Sequence, residues 1–245
     1  MIIYGINPVT EALRAGQVTE LRVSDRAGDR AREVAARAAE QGVPVRRVPA
    51  HDLDRQARGG VHQGVVADVR RAADWSLEAL VAEASDVPLL VVLDGIEDPH
   101  NVGAILRTCD AAGVDGIVRQ SRRAAPLEGA TAKVSAGAVA HVRIAEVVNI
   151  ARAIDELKTL GVWIVGLAGE GATPYDKVDF TVPTALVVGA EGTGLRRLTR
   201  DKCDVMAQIP MRGHVESLNV SVATAVALFE ARRQRDRSGE GGTSR

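Results

Sequence analysis

An α/β fold built on a mainly parallel sheet is what this 245-residue sequence predicts, and three observations predict it. From Pro88 onward, short apolar runs alternate regularly with segments of helical periodicity. One of those runs, LLVVLD (89–94), is almost wholly apolar, as a strand buried on both faces requires, and TALVVG (184–189) reads as a further strand. Residues 1–70 repeat the alternation on a smaller scale. The chain therefore reads as a small α/β unit, a linker over 71–87, a larger α/β domain over 88–235, and a disordered tail over 236–245 that lacks apolar residues.

In chain order, a helix pattern follows Tyr4-Gly5, with Ile6, Val9 and Leu13 on one face. A short strand is expected over Glu20–Ser24, an Ala/Arg-rich helix over Asp29–Gln41, and strands over Val43–Val48 and within VHQGVVADV (61–69). The linker carries one short amphipathic helix. In Asn101–Gly113, Val102, Ile105, Leu106 and Cys109 recur at helical spacing, and Gly113 supplies the stop. Further strands are expected at 116–118, 141–147, 162–168 and 205–210. Helices fill the gaps, most clearly through Ile150, Ile154 and Leu157 and over Leu195–Cys203.

Composition narrows the function. Hydrophobic residues make up 46% of the chain, yet no run approaches the ~20 apolar residues of a membrane span. MIIYGINPVT has neither the basic start nor the cleavage site of a signal peptide. Cys109 and Cys203 are the only cysteines, too few for a disulfide framework or a thiolate metal cage. These features predict a soluble cytoplasmic protein. The net charge of −1 does not announce a nucleic-acid binder, so any RNA contact must come from a local patch. Candidate patches are Arg46-Arg47, Arg70-Arg71, Arg122-Arg123, Arg196-Arg197 and Arg232-Arg233, because the planar guanidinium can hold two phosphate oxygens. Aromatic residues, at 2%, argue against single-strand binding by a ladder of stacked bases.

Three segments concentrate Gly, Asn, Glu and Ser where strands end, which is where open α/β sheets build ligand sites. They are Asp94–Gly113 (DGIEDPHNVGAILRTCDAAG), Val187–Thr199 (VVGAEGTGLRRLT) and Ile209–Arg235 (IPMRGHVESLNVSVATAVALFEARRQR). GAEGTG is not the dinucleotide GxGxxG, and no Walker lysine follows it. Taken singly, Ser217 and Asn101 each read equally well as helix caps. Arg107 lies six residues beyond Asn101, nearly two turns, so both are placed to reach toward the same side. No Cys/His cluster indicates a metal, and His100 and His214 read as loop residues.

Together, the three segments resemble the three motifs of the SpoU (TrmH-like) methyltransferases of the SPOUT superfamily. DPHNVGAILRTCDAAGV is similar to the first, LVVGAEGTGLRR to the second, and the segment from Ile209 to the third. YGINPVTEAL and VHQGVVADV resemble the ribosomal-protein-like (L30e-like) substrate-binding domain of those members that methylate a guanosine of 23S rRNA. The resemblance implies a deep trefoil knot in the C-terminal domain, a homodimer, and S-adenosylmethionine as methyl donor with no metal. It implies catalytic roles for Asn101, Arg107, Glu191, Ser217 and Asn219, and donor contacts for Gly189, Ile209 and Leu218. Glu216 departs from the pattern, since close relatives more often have a small polar residue there. The expected activity is methyl transfer to a ribose 2′-hydroxyl of 23S rRNA. A tRNA or an antibiotic-target site remains an alternative substrate. A non-catalytic RNA-binding protein is an alternative of another class, although all five polar motif residues are present. A guanidinium stays protonated at essentially any accessible pH, so Arg107 is expected mainly to hold the target's phosphate and stabilise the oxyanion, the proton leaving through phosphate, water or a transiently deprotonated arginine.

Overall fold

The computed structural model describes residues 2–69, 75–122, 124–170 and 172–240. The expectations for Arg70-Arg71, Arg123 and the last five residues of the tail fall outside them. Packing divides the chain into two compact units that interleave in sequence. One comprises Met1–Ala73, Val102–Arg107 and Ala125–His141; the other comprises Asp74–Asn101, Thr108–Ala124 and Val142–Arg245.

The first unit contains β1 (Ile2–Tyr4), α1 (Ile6–Arg14), β2 (Val18–Ser24), α2 (Asp29–Glu40), β3 (Val45–Val48), α3 (Ala50–Gln56) and β4 (Val65–Val69). Its sheet runs β1-β4-β2-β3, antiparallel except between β2 and β3. The two quoted N-terminal motifs meet here. β1 pairs with β4, and Gln63 Oε1 accepts from the Ile6 N–H at 3.0 Å, satisfying a donor at the start of α1. Leu53 of α3 packs with Tyr4 and Val66. β1 and α3 are short and lack a clear period, which hides both from a reading of the sequence.

The second unit holds α4 (Leu77–Ala82), β5 (Leu89–Asp94) and β6 (Gly116–Gln120), with α5 (Pro99–Ala111) between these two strands. After α6 (Ala130–Val134), which belongs to the first unit, come β7 (Ile144–Val147), α7 (Ile150–Thr159), β8 (Trp163–Leu167) and β9 (Thr173–Pro174). β10 (Thr184–Gly189), α8 (Arg197–Arg200), β11 (Val205–Gln208) and α9 (Val220–Glu240) complete it. The sheet order is β7-β6-β5-β10-β8-β11-β9, and every pairing is parallel. Every residue of β5 and β10 is buried. Leu90, Val92, Ala185 and Val187 pack with α4 and α7 on one face, while the alternate residues Val91, Leu93, Leu186 and Val188 are at most 4% exposed on the other.

Several boundaries differ from expectation. The linker helix α4 is core: Leu77 and Leu80 join the cluster around Leu90 and Val118. The expected helix over Leu195–Cys203 shrinks to Arg197–Arg200, because Leu195 is buried with the sheet rather than on a helix face. α9 runs to Glu240, five residues into the expected tail, so apolar content does not decide where this helix ends.

Candidate active site

The strand order reverses between β5 and β10: β6 and β7 lie to one side of β5, and β10, β8 and β11 to the other. The loops leaving β10 and β11 meet at this end. Beyond the end of β10, Gly194 N–H donates back to Ala190 O at 2.8 Å, closing a tight loop with Gly192 and Gly194 at positive φ. Gly189 is the pivot. A Cβ there would sit 2.2 Å from the Gly194 carbonyl carbon and 2.4 Å from Leu195 N, so no other residue lets the loop fold back.

The first turn of α5, the loop after β10 and the start of α9 are joined by one hydrogen-bonded relay. Ser221 N–H and Oγ donate to Asn219 Oδ1 at 2.9 and 2.6 Å. With Asn219 Oδ1 so occupied, its Nδ2 donates to Asn101 Oδ1 at 2.9 Å. Asn101 Nδ2 in turn donates to Glu191 Oε2 at 3.2 Å. This fixes both amide orientations without ambiguity. Asn101 is buried, whereas Glu191 and Asn219 are exposed.

The capping question is also answered. Asp98 caps α5, accepting from His100 N–H at 2.9 Å, with Pro99 at the first position. Asn219 caps α9, its carbonyl accepting from Ala223 N–H. Neither Asn101 nor Ser217 is needed as a cap, and the Ser217 hydroxyl has no partner among the described residues.

A cavity of about 700 Å³ opens beside the relay. Gly189, Glu191, Ile209, Ser217, Leu218 and Asn219 all line it, so the structure brings together seven of the eight predicted site residues if Asn101 is counted through its bonds to two of them. Arg107 stands apart. Six residues of helix separate it from Asn101 by ~9 Å and turn it ~120° away, so the two do not share a face as expected. Asn101 is buried and Arg107 exposed, with no partner among the described residues.

Glu170, Arg200 and Met211 also line the cavity. Glu170 follows the end of β8, the same strand-end signal that marked the other segments, and pairs with Arg200 at 3.1 Å. Glu216 faces the cavity too. Burial pushes the Cys203 thiol up to about 11 and raises that of Cys109 as well, which disfavours the thiolate at both. Among the described residues, no group of three or more His, Cys, Asp or Glu side chains is placed to hold a metal.

The arginine pairs prove mostly structural. Arg232 donates to the carbonyls of Ala112 and Gly113 at the end of α5, and Arg233 pairs with Glu230. Arg196 is held by Asp94 and Gln120, and Arg46 pairs with Glu20 at 2.9 Å.

A family model described as the SpoU rRNA Methylase family matches residues 88–229, and one for RNA 2′-O ribose methyltransferase substrate binding matches residues 2–75. The 23S rRNA (guanosine-2′-O-)-methyltransferase RlmB of Pseudomonas aeruginosa is 44% identical over 239 residues, covering 95% of this chain and 96% of its own. The SpoU methyltransferase AviRb from Streptomyces viridochromogenes, solved with AdoMet, superposes with a TM-score of 0.81 at 27% identity, covering 97% of this chain and 91% of that one. The AdoMet-bound rRNA methyltransferase from Sinorhizobium meliloti gives a TM-score of 0.76 at 30% identity, covering 95% and 86%.

Proposed function

Because this chain belongs to the SpoU rRNA methylase family, we propose that it transfers the methyl group of S-adenosylmethionine to the ribose 2′-hydroxyl of a guanosine in 23S rRNA. The observation that carries this reading is the Asn219–Asn101–Glu191 relay, which ties all three motif segments together at the edge of one cavity.

The cavity suits that donor. Its walls combine strand-end backbone at Gly189 and Gly194 with the apolar side chains of Ile209 and Leu218, which accept a flat nucleoside. Glu170, Glu191 and Glu216 complement a sulfonium and an ammonium, and Arg200 complements a carboxylate. When bound, S-adenosylmethionine supplies an electrophilic methyl carbon. The chain's own residues align and stabilise. Asn101 has both ends of its amide committed, so it orients Glu191 and Asn219 rather than accepting a proton. Ser217 brings an unspent hydroxyl to the same wall as a donor or acceptor for the ribose. Arg107 serves the developing oxyanion or the target's phosphate.

The remaining parts of this reading follow the family. The active species is a homodimer, supported by Val222 (48% exposed) and Phe229 (53% exposed), seven residues and nearly two full turns apart on one face of α9. A C-terminal trefoil knot is expected from the family match over residues 88–229. Residues 1–70, the N-terminal part of the first unit, are the L30e-like RNA-binding domain, supported by their mixed four-stranded sheet and the substrate-binding match. The substrate puts the protein in the cytoplasm.

The test is to incubate the full chain with an unmodified 23S rRNA transcript and methyl-labelled S-adenosylmethionine, then map ribose methylation by mass spectrometry. One 2′-O-methylguanosine is the expected product. Label entering tRNA but not the 23S transcript would overturn the assignment.

A further inference from the structure

A second cavity, of about 430 Å³, opens between the loops leaving β5 and β10. This is the point where the strand order reverses, and open parallel sheets take ligands at such a point. Glu191 and Gly194 line both cavities, so the Asn101–Glu191 hydrogen bond stands at their boundary.

The lining of this second cavity is chemically two-sided. Glu97 presents a carboxylate with no partner among the described residues, and Asp98 beside it spends only Oδ1, on the His100 N–H. Opposite in charge is Arg196, whose direction is set by three neighbours. Its Nη2 donates to Gln120 Oε1 at 2.7 Å, and its backbone N–H donates to Asp94 Oδ2 at 2.9 Å. Gly95, at φ +75°, leaves the guanidinium its place, since a Cβ there would sit 2.8 Å from Nη2. Asp94 Oδ1 is buried with no hydrogen-bond partner, and Arg196 Nε lies 3.6 Å from it. The guanidinium is thus oriented by the fold, 49% exposed, and still has its Nη1 hydrogens and the second Nη2 hydrogen unspent, a pair of parallel donors.

We propose that this cavity receives the base of the acceptor nucleotide and that Arg196 and Glu97 select guanine there. The proposal rests on the guanosine reading above. Guanine offers two acceptors, O6 and N7, which a guanidinium matches with two parallel N–H donors. Its adjoining edge offers N1–H and the 2-amino group, which a carboxylate accepts. Adenine places an amino group where O6 would be, against the guanidinium, and carries no donor at N1 or C2. A phosphate is disfavoured because Asp94, Glu97, Asp98 and Glu191 surround a single guanidinium. A metal ion is disfavoured because these carboxylates do not converge as ligands. With the base in this cavity, the attached ribose falls at the Asn101–Glu191 boundary, next to the methyl donor's cavity.

The experiment uses the full chain and 23S rRNA transcripts carrying guanosine, inosine or adenosine at the mapped position. Arg196→Ala is expected to bind S-adenosylmethionine as tightly as the unaltered chain by calorimetry. Its kcat/KM on the guanosine transcript should fall roughly five- to 150-fold, and its preference for guanosine over adenosine should collapse. Glu97→Gln should narrow the gap between guanosine and inosine, which lacks the 2-amino group. An Arg196→Ala enzyme that keeps the full guanosine preference overturns the proposal. So does a loss of S-adenosylmethionine affinity and melting temperature that accounts for the whole loss of turnover, the mark of a purely structural arginine. Absence of transfer by the unaltered chain to any of the transcripts overturns the underlying reading and this proposal with it.

Discussion

Asn101 and Ser217 show how a residue's role is set by what its neighbours already do. Each is a plausible helix cap in sequence, yet Asp98 and Asn219 fill those posts and leave both side chains for the site. Gly189 is constrained more tightly still. Gly189→Val should abolish S-adenosylmethionine binding in calorimetry, because its side chain would displace the Gly194 backbone rather than a flexible side chain. Retained binding would separate the donor site from the β10 loop. Arg107 makes the opposite prediction. Arg107→Ala should lower single-turnover rates by orders of magnitude with donor affinity unchanged, and Arg107→Lys should also be poor because it loses the two-pronged grip. Near-normal turnover by Arg107→Ala would remove it from the chemistry.

At the level of elements, α9 explains why a helix rich in arginine need not be an RNA-binding one. Arg235 donates to the carbonyls of Phe180 at 2.8 Å and of Pro88 and Val182 at 3.1 Å, and also to Val87. It anchors the helix to the start of β5 and the approach to β10. Burial pulls its pKa down from the ordinary guanidinium value, yet it remains charged. Replacing it with methionine leaves several carbonyls unmatched, a loss on the order of 2 kcal/mol, or about 4–8 °C in Tm. An unchanged melting temperature by calorimetry would show that water replaces the guanidinium at no cost. Gln234 reinforces the same junction by accepting from Phe180 N–H at 2.9 Å and donating to Val178 O at 3.0 Å.

For the whole molecule, the two units are not two lengths of chain. Residues 102–107 and 125–141 pack with the N-terminal unit, and α4 packs with the C-terminal one. A truncation beginning near Ser85 would therefore remove Leu77 and Leu80 from the core, and RNA recognition is better tested in the full chain. Four arginines lie on β3 and in or just after α3: Arg46 pairs with Glu20 and Arg55 with Asp52, whereas the side chains of Arg47 and Arg58 have no partners among the described residues. Replacing Arg47 and Arg58 together should flatten the salt dependence of rRNA binding by ~1.4 in log–log slope if each meets one phosphate. Replacing Arg46 and Arg55 should do less. Equal effects would mean that the patch acts through general charge. The apolar stripe on α9 makes a separate prediction: Val222→Asp with Phe229→Asp should convert a dimer to a monomer in light scattering. A dimer that survived both changes would place its interface elsewhere.

The sequence by itself determined the α/β class, six of the seven strands of the parallel sheet (all but the two-residue β9) and the three segments that carry the site. These rest on local signals: apolar runs, helical periodicity, and glycine or polar residues at strand ends. β10, an apolar run bounded by Pro183 and the glycine-rich turn, is legible to the residue. Tertiary structure decided what depends on distant partners. Only folding brings Asn101 within 2.9 Å of Asn219, 118 positions away, and Glu191 within 3.2 Å of Asn101, 90 positions away. It also turned Arg107 out of that cluster and spent Arg232 and Arg235 on backbone carbonyls. The length of α9 and the place of α4 followed the same rule. Helix ends and buried arginines are set by which carbonyls and apolar faces the rest of the chain presents to them, and no window of sequence contains that information.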